Sequence, residues 1–174
     1  MSRTKSAALP IAYVSLRILI VLNWLYGAAI LALLSFTFVN EPWFRKAIEV
    51  PSGVAEQPIM AGLRIIAALG LIAVPLNHVI LTRLLRIVGT VGRGDPFVAA
   101  NAYRLNAIAW ALLALQLLSI VIGIVGKAIA SKEFPLHLDA GFSLSGWLAV
   151  ILTFVLARVF AEGTLMREDL EGTI

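Results

Sequence analysis

The sequence contains no cysteine, which removes a disulfide framework, a thiolate nucleophile and every cysteine-based metal site. Histidine is nearly absent. His78 and His137 are the only two, and they are not spaced as an HExxH pair, so a catalytic zinc is not expected. Charge is scarce too, at 14% of the residues against about a quarter in an ordinary globular domain. No internal repeat and no low-complexity tract stands out.

What fills the chain instead is apolar: 60% of its 174 residues are hydrophobic, with a mean hydropathy of +0.95. That composition assigns it to the integral membrane class. Apolar runs of roughly 18 residues or more recur over about residues 18–39, 59–81, 105–125 and 142–160, each able to cross a hydrocarbon core about 30 Å thick. Lipid offers backbone groups no partner, and the runs show no two-residue alternation, so they are helices rather than barrel strands. The third and fourth extend as helices to about 97–125 and 142–165. The expected fold is all-α: a single domain over 1–174, an integral membrane bundle of four transmembrane helices. The first run exceeds the usual 7–15 residue core of a signal peptide and reads as an uncleaved anchor.

Orientation follows from lysine and arginine in the short connections. Arg3, Lys5 and Arg17 precede the first run, Arg83, Arg86, Arg93 and Arg104 flank the second connection, and Arg158 and Arg167 follow the fourth run. Arg45, Lys46, Lys127 and Lys132 stand on the other side, with Arg64 one turn inside the second helix. The bias predicts an N-in, C-in arrangement. Residues 40–58 are then an outer loop, 82–95 a cytoplasmic loop and 161–174 a cytoplasmic tail. The expected location is a bacterial inner membrane. Within the outer loop "WFRKAIEV" forms a short amphipathic piece suited to the membrane surface.

One polar stretch interrupts the apolar text, "VGRGDPFVAANAYRLNAIAW" over residues 91–110. Gly94 permits a tight turn, Asp95 is a good N-cap and Pro96 suits a first helical position, so a helix is predicted to start at Pro96. Phe97, Asn101, Arg104 and Leu105 then share one face. Asn101 and Arg104 are expected to tie this turn to the fourth helix or to the tail, with Glu162 as the ionic partner of Arg104 or Arg158.

A second set of polar residues lies deeper. Asn23 on the first helix and Asn77 with His78 on the second sit at matching depths, roughly 8–9 Å inside the inner interface at 1.5 Å per residue, and together with Arg158 they are expected to face the bundle as one cluster. Interhelical hydrogen-bond glue is the first reading of the asparagines, with a ligand site as the alternative. His78 is read as a satisfied interior histidine, or else as a proton-linked switch. Arg64 is expected to snorkel to the headgroups, and Gln116 to serve as glue. Gly27, Gly62, Gly70, Ser119, Gly123, Gly141 and Ser145 mark small faces where backbones can approach. Pro75 is expected to kink the second helix.

The run Gly94-Asp95-Pro96-Phe97, then Asn101, then Arg104-Leu105, together with a close of "ARVFAEGTLMREDLEGTI", resembles domain-of-unknown-function family twenty-nine seventy-five, over essentially the whole chain. The resemblance implies a small bacterial four-helix inner-membrane protein of unsettled activity. Such proteins are often encoded beside a small helix-turn-helix regulator of the Cro/CI type, which implies a membrane partner for a transcription regulator.

Three functional classes follow. The first is an interaction protein whose cytoplasmic face, built from Asp95, Phe97, Asn101, Arg104, Arg158 and Glu162, binds and restrains such a regulator. The second is a small transporter, channel or lipid-binding bundle that works as a homodimer around Asn23, Asn77 and His78. The third, an enzyme, is not expected, because His137 and Asp139 stand at i,i+2 and do not face each other on a helix. No cofactor is expected. The expected partners are the lipid bilayer, the regulator and a second copy, without direct nucleic-acid binding.

Overall fold

The computed structural model describes residues 8–48, 56–130, 136, 138 and 140–171. Arg3, Lys5, Lys132, His137, Asp139 and the last three residues, 172–174, lie outside them. The elements are α1 (Ala8–Val39), α2 (Glu41–Ala47), α3 (Glu56–Gly92), α4 (Ala99–Ile129) and α5 (Leu144–Glu171). The described residues hold no strand. The fold is all-α, and α1, α3, α4 and α5 are each long and apolar enough to cross a membrane.

The four long helices pack in chain order: α1 on α3, α3 on α4 and α4 on α5, with little or no contact between the remaining pairs. The end helices α1 and α5 accordingly bury only 6% and 11% of their apolar windows, against 22% and 28% for α3 and α4. Their outward faces carry Leu, Ile, Val and Phe, the residues lipid accepts without cost. A core of Ile87, Leu105, Ile108 and Ala157, flanked by Ile80, Leu112 and Phe160, joins α3, α4 and α5 near one end.

Small residues set the helix spacing. A methyl group added at Gly27 would lie 3.0 Å from both γ carbons of Val74, and one at Gly62 only 2.4 Å from Ile129. The chain after α4 folds back so closely that a methyl at Gly123 would meet the Ala140 carbonyl oxygen at 2.8 Å. Ser119 holds that return, accepting from Gly141 N–H at 3.1 Å and donating to Gly141 O at 3.3 Å. Gln116 is buried against the start of α5, its Nε2 3.5 Å from Ser143 O. Pro75 stands inside α3, which continues through it.

Several helices outrun the apolar runs. Residues 82–95, expected as a loop, are helical as far as Gly92, because Thr82 to Val91 contain no proline and a single glycine, Gly89, among good helix formers such as leucine and arginine. Likewise α5 continues to Glu171 through most of the expected tail. Within 40–58 a helix also forms: Asn40 caps α2, accepting from Trp43 N–H at 3.4 Å, and Pro42 sits in its first turn.

The start of α4 departs from expectation. The helix begins at Ala99 rather than Pro96, its N-cap position is Val98 in extended geometry, and no side chain caps it. Asp95 is therefore not an N-cap. It completes the end of α3 instead: Gly94 takes a left-handed φ of +84°, Gly94 N–H donates to Val91 O at 3.0 Å, and Asp95 N–H donates to Thr90 O at 3.1 Å. These two bonds form a Schellman close, which needs a residue free to adopt positive φ.

Candidate functional site at the α3 to α4 turn

The turn between α3 and α4 is organised by one amide. Asn101 is 0% exposed, and a buried amide must find partners for both its donor and acceptor ends. Its Nδ2 donates to Thr90 Oγ1 at 2.7 Å and to Pro96 O at 2.8 Å, and its Oδ1 accepts from Arg104 Nη1 at 2.7 Å. Thr90 in turn donates to Ile87 O at 2.7 Å. The chain of bonds ties the first turn of α4 to the last turns of α3. Asn101 therefore ties α4 to α3, with Arg104 bonded to it from the next turn of α4, rather than to the fourth helix or the tail as the sequence had suggested.

The tie to α5 is made by their neighbours. Asp95 Oδ1 accepts from Arg167 Nη1 in an ion pair whose side chains are 44% and 47% exposed. The rings of Phe97 and Phe160 lie 5.2 Å apart, tilted by 36°. Gly163 leaves room for that contact, since a methyl there would meet Phe97 at 3.1 Å. The Gly94-Asp95-Pro96-Phe97 stretch and the Phe160 to Arg167 segment thus form one surface, although about 70 residues separate them.

Glu162 pairs with Arg158 on its own helix at 2.8 Å, with side chains 55% and 77% exposed. An exposed i,i+4 pair of this kind is worth roughly 0.3–0.5 kcal/mol. No bond joins Glu162 to Arg104. Arg83, Arg86 and Arg93 instead lie near enough to Arg104 to act on it as like charges.

Arg158 also lines a cleft of about 520 Å³ between α4 and α5, with Tyr103, Asn106, Phe154, Thr164 and Leu165. It does not join Asn23 and His78. Those two lie at the seam of α1 and α3, while α5 packs on α4, so the four helices never bring the expected cluster together. Asn23 Nδ2 donates to Val74 O at 3.0 Å, directly beside the Gly27 approach. His78 Nδ1 accepts from Trp24 Nε1 at 3.1 Å, the two rings edge to face at 5.4 Å. Both residues work as interhelical glue. Asn77 is half-buried on α3 one residue away.

At the opposite end, Arg64 is bonded to the close of α1 and the start of α2. Its Nη2 donates to Thr37 O at 2.7 Å and to Glu41 Oε2 at 2.9 Å, its Nε donates to Thr37 Oγ1 at 3.3 Å, and its guanidinium lies 4.3 Å from the centre of the Phe38 ring. The last turn of α1 presents carbonyls and the negative end of the helix dipole, which a cation satisfies. Arg64 borders a second cavity of about 420 Å³ with Tyr26, Thr37, Phe44, Ile122 and Leu138. Trp24, Thr90, Arg167 and Glu41 are the participants that sequence reasoning missed. Thr90 and Arg167 were legible only as possible partners for the Asp95 to Arg104 block, since nothing in helical spacing names a partner on another helix.

The Gly94-Asp95-Pro96-Phe97 block and the α5 segment it docks on both lie inside the part of the chain that a family model matches. The model of the family described as "Protein of unknown function (DUF2975)" matches residues 47–174. The chain belongs to that family. The matched part of this DUF2975 protein holds α3, α4 and α5 with both halves of the docked surface, while α1 precedes it. No curated protein and no solved structure matches the chain. Among the described residues no three His, Asp or Glu side chains gather in a way that could hold a metal, and nothing in them indicates catalysis.

Proposed function

We propose that this DUF2975 protein is a membrane-anchored interaction protein whose cytoplasmic face holds and restrains a small cytoplasmic transcription regulator. The assignment of that face to the cytoplasm follows from Arg83, Arg86, Arg93, Arg104, Arg158 and Arg167 at one end of the helices. The observation that carries the reading is the single surface made by Asp95 with Arg167 and Phe97 with Phe160. Two distant pieces of chain are locked together at the end of the protein where a cytoplasmic partner has access. Beside them Tyr103, Leu165 and Met166 are exposed, and α5 projects onward with Glu162 and Asp169. The tail is locally acidic in sequence, with Glu162, Glu168, Asp169 and Glu171 against Arg167, and that excess of negative charge suits the basic surface of a DNA-binding protein, where it would compete with DNA.

The test is a mild-detergent pull-down of the tagged chain from its native cells, with mass spectrometry of co-purified proteins. Full-length protein, a truncation after Phe160, and D95R, R167D and the double swap are compared. The reading expects a small helix-turn-helix protein with the full chain, its loss with the truncation and either single change, and its return with the swap. Recovery of only lipid, or only of the protein itself, from every sample overturns it.

One observation favours a second reading, a small-molecule or lipid-binding bundle: the cleft of about 520 Å³ that Arg158 and Tyr103 line, within the size range of small-ligand pockets. The two readings differ in what co-purifies.

A further inference from the structure

Four arginines converge where α3 meets α4. Arg83, Arg86, Thr90 and Arg93 are spaced i, i+3, i+7 and i+10 and so occupy one side of α3, and Thr90 on that side is bonded to Asn101. Asn101 in turn holds Arg104 Nη1 at 2.7 Å, which fixes one guanidinium of the group. Arg93 folds back along α3, its Nη1 only 3.9 Å from where a Gly89 side chain would begin. All three α3 arginines are close enough to Arg104 to repel it.

Among the described residues none of the four has a carboxylate partner. Two nearby carboxylates are committed elsewhere, Asp95 to Arg167 and Glu162 to Arg158. Setting a topology requires only that positive charges stay on one side of the membrane. It does not require one arginine to be anchored by a buried amide or another to fold back toward its neighbours. Like charges set along one side of α3 beside a guanidinium that is fixed in place call for a counter-anion.

We propose that Arg83, Arg86, Arg93 and Arg104 form a binding site for a phosphate-bearing anion at the membrane surface. Guanidinium groups match phosphate oxygens in paired hydrogen bonds, and several of them suit a group with more than one negative charge. Two sources carry that chemistry, the headgroup of an acidic phospholipid and a soluble phosphate compound. The site is separate from the Asp95 to Arg167 surface, and it stands or falls independently of the regulator reading.

The experiment uses the full chain in nanodiscs, with thermal stability and native mass spectrometry as readouts. One arm compares phosphatidylcholine discs with discs containing cardiolipin; the other adds inorganic pyrophosphate to phosphatidylcholine discs. The R86Q/R93Q double variant tests the site, both side chains being exposed and dispensable for packing, and R17Q, at an exposed arginine near the start of α1, serves as the control outside it. Cardiolipin is expected to be retained and to raise the melting temperature, and R86Q/R93Q to weaken retention about 30-fold at about 1 kcal/mol per basic residue, with R17Q close to wild type. Stabilisation by pyrophosphate alone, lost in R86Q/R93Q, supports the site with a soluble ligand. No stabilisation in either arm overturns the proposal, as does an equal loss in R17Q, which would reduce the effect to general surface charge.

Discussion

Asn101 on α4 donates to Thr90 on α3 at 2.7 Å, across the turn that joins the two helices. The same amide holds Pro96 O and Arg104, so one side chain fixes the turn, the helix start and a guanidinium at once. Asn101→Ala removes all three bonds and leaves polar groups without partners in a site closed to water. A loss of about 2–3 kcal/mol is expected, read as a lower unfolding midpoint in detergent. Thr90→Val, which removes one bond, should fall well short of that.

The Asp95–Arg167 pair joins the turn to α5 while remaining close to half exposed on both sides. Its coupling energy should therefore be small, about 0.5–1 kcal/mol in a double-mutant cycle with Asp95→Ala and Arg167→Ala. A cycle that closes with no coupling in low salt would show that the ring contact of Phe97 with Phe160 holds the two blocks unaided.

Arg64 closes the end of α1 through Thr37 O and pairs with Glu41, and its side chain is only 23% exposed. Arg64→Met keeps the length of the side chain but removes its bonds to Glu41 and to the α1 carbonyl. The melting temperature should drop clearly, by an amount corresponding to about 1–3 kcal/mol. Lys at this position should recover only part, since it lacks the fork that serves two acceptors.

Gly27 lets α1 approach α3 to the point where Val74 fills the space a side chain would take. Gly27→Leu should force the helices apart and break the Asn23 bond to Val74 O. Because the chain has no cysteine of its own, a cysteine pair introduced across the α1 to α3 seam reports this directly. Disulfide formation should be efficient in the parent and slow in the Leu variant.

Length and hydropathy were enough to place all four long helices, because a hydrocarbon core forces any apolar run of that length into a helix. The helix ends were less legible. Gly94-Asp95-Pro96 satisfies two grammars at once, the close of a preceding helix and the cap of a following one, and Asp95 cannot serve both. The left-handed Gly94 decides for α3, and Pro96 and Phe97 stay outside α4, where Phe97 meets Phe160. Spacing within one helix placed Asn101 and Arg104 on a common face and found the Arg158–Glu162 pair. It was silent on which helix those faces meet. Equal depth was read as contact for Asn23 and Arg158, yet depth says nothing about the order of helices around the molecule. The partners of Arg64 were missed for a related reason: Thr37 and Glu41 lie on α1 and α2, which periodicity within α3 does not name.

The serial packing of the long helices has a consequence for synthesis. In a closed ring of helices, the first to emerge from the ribosome must wait for the last before its final contacts can form. Here α3 finds α1 already in place, α4 finds α3 and α5 finds α4, so each helix can dock on arrival against a neighbour made moments earlier. Contacts between sequence neighbours also form fastest. A nascent chain halted after α3 or α4 would carry a finished seam behind it and one open face ahead.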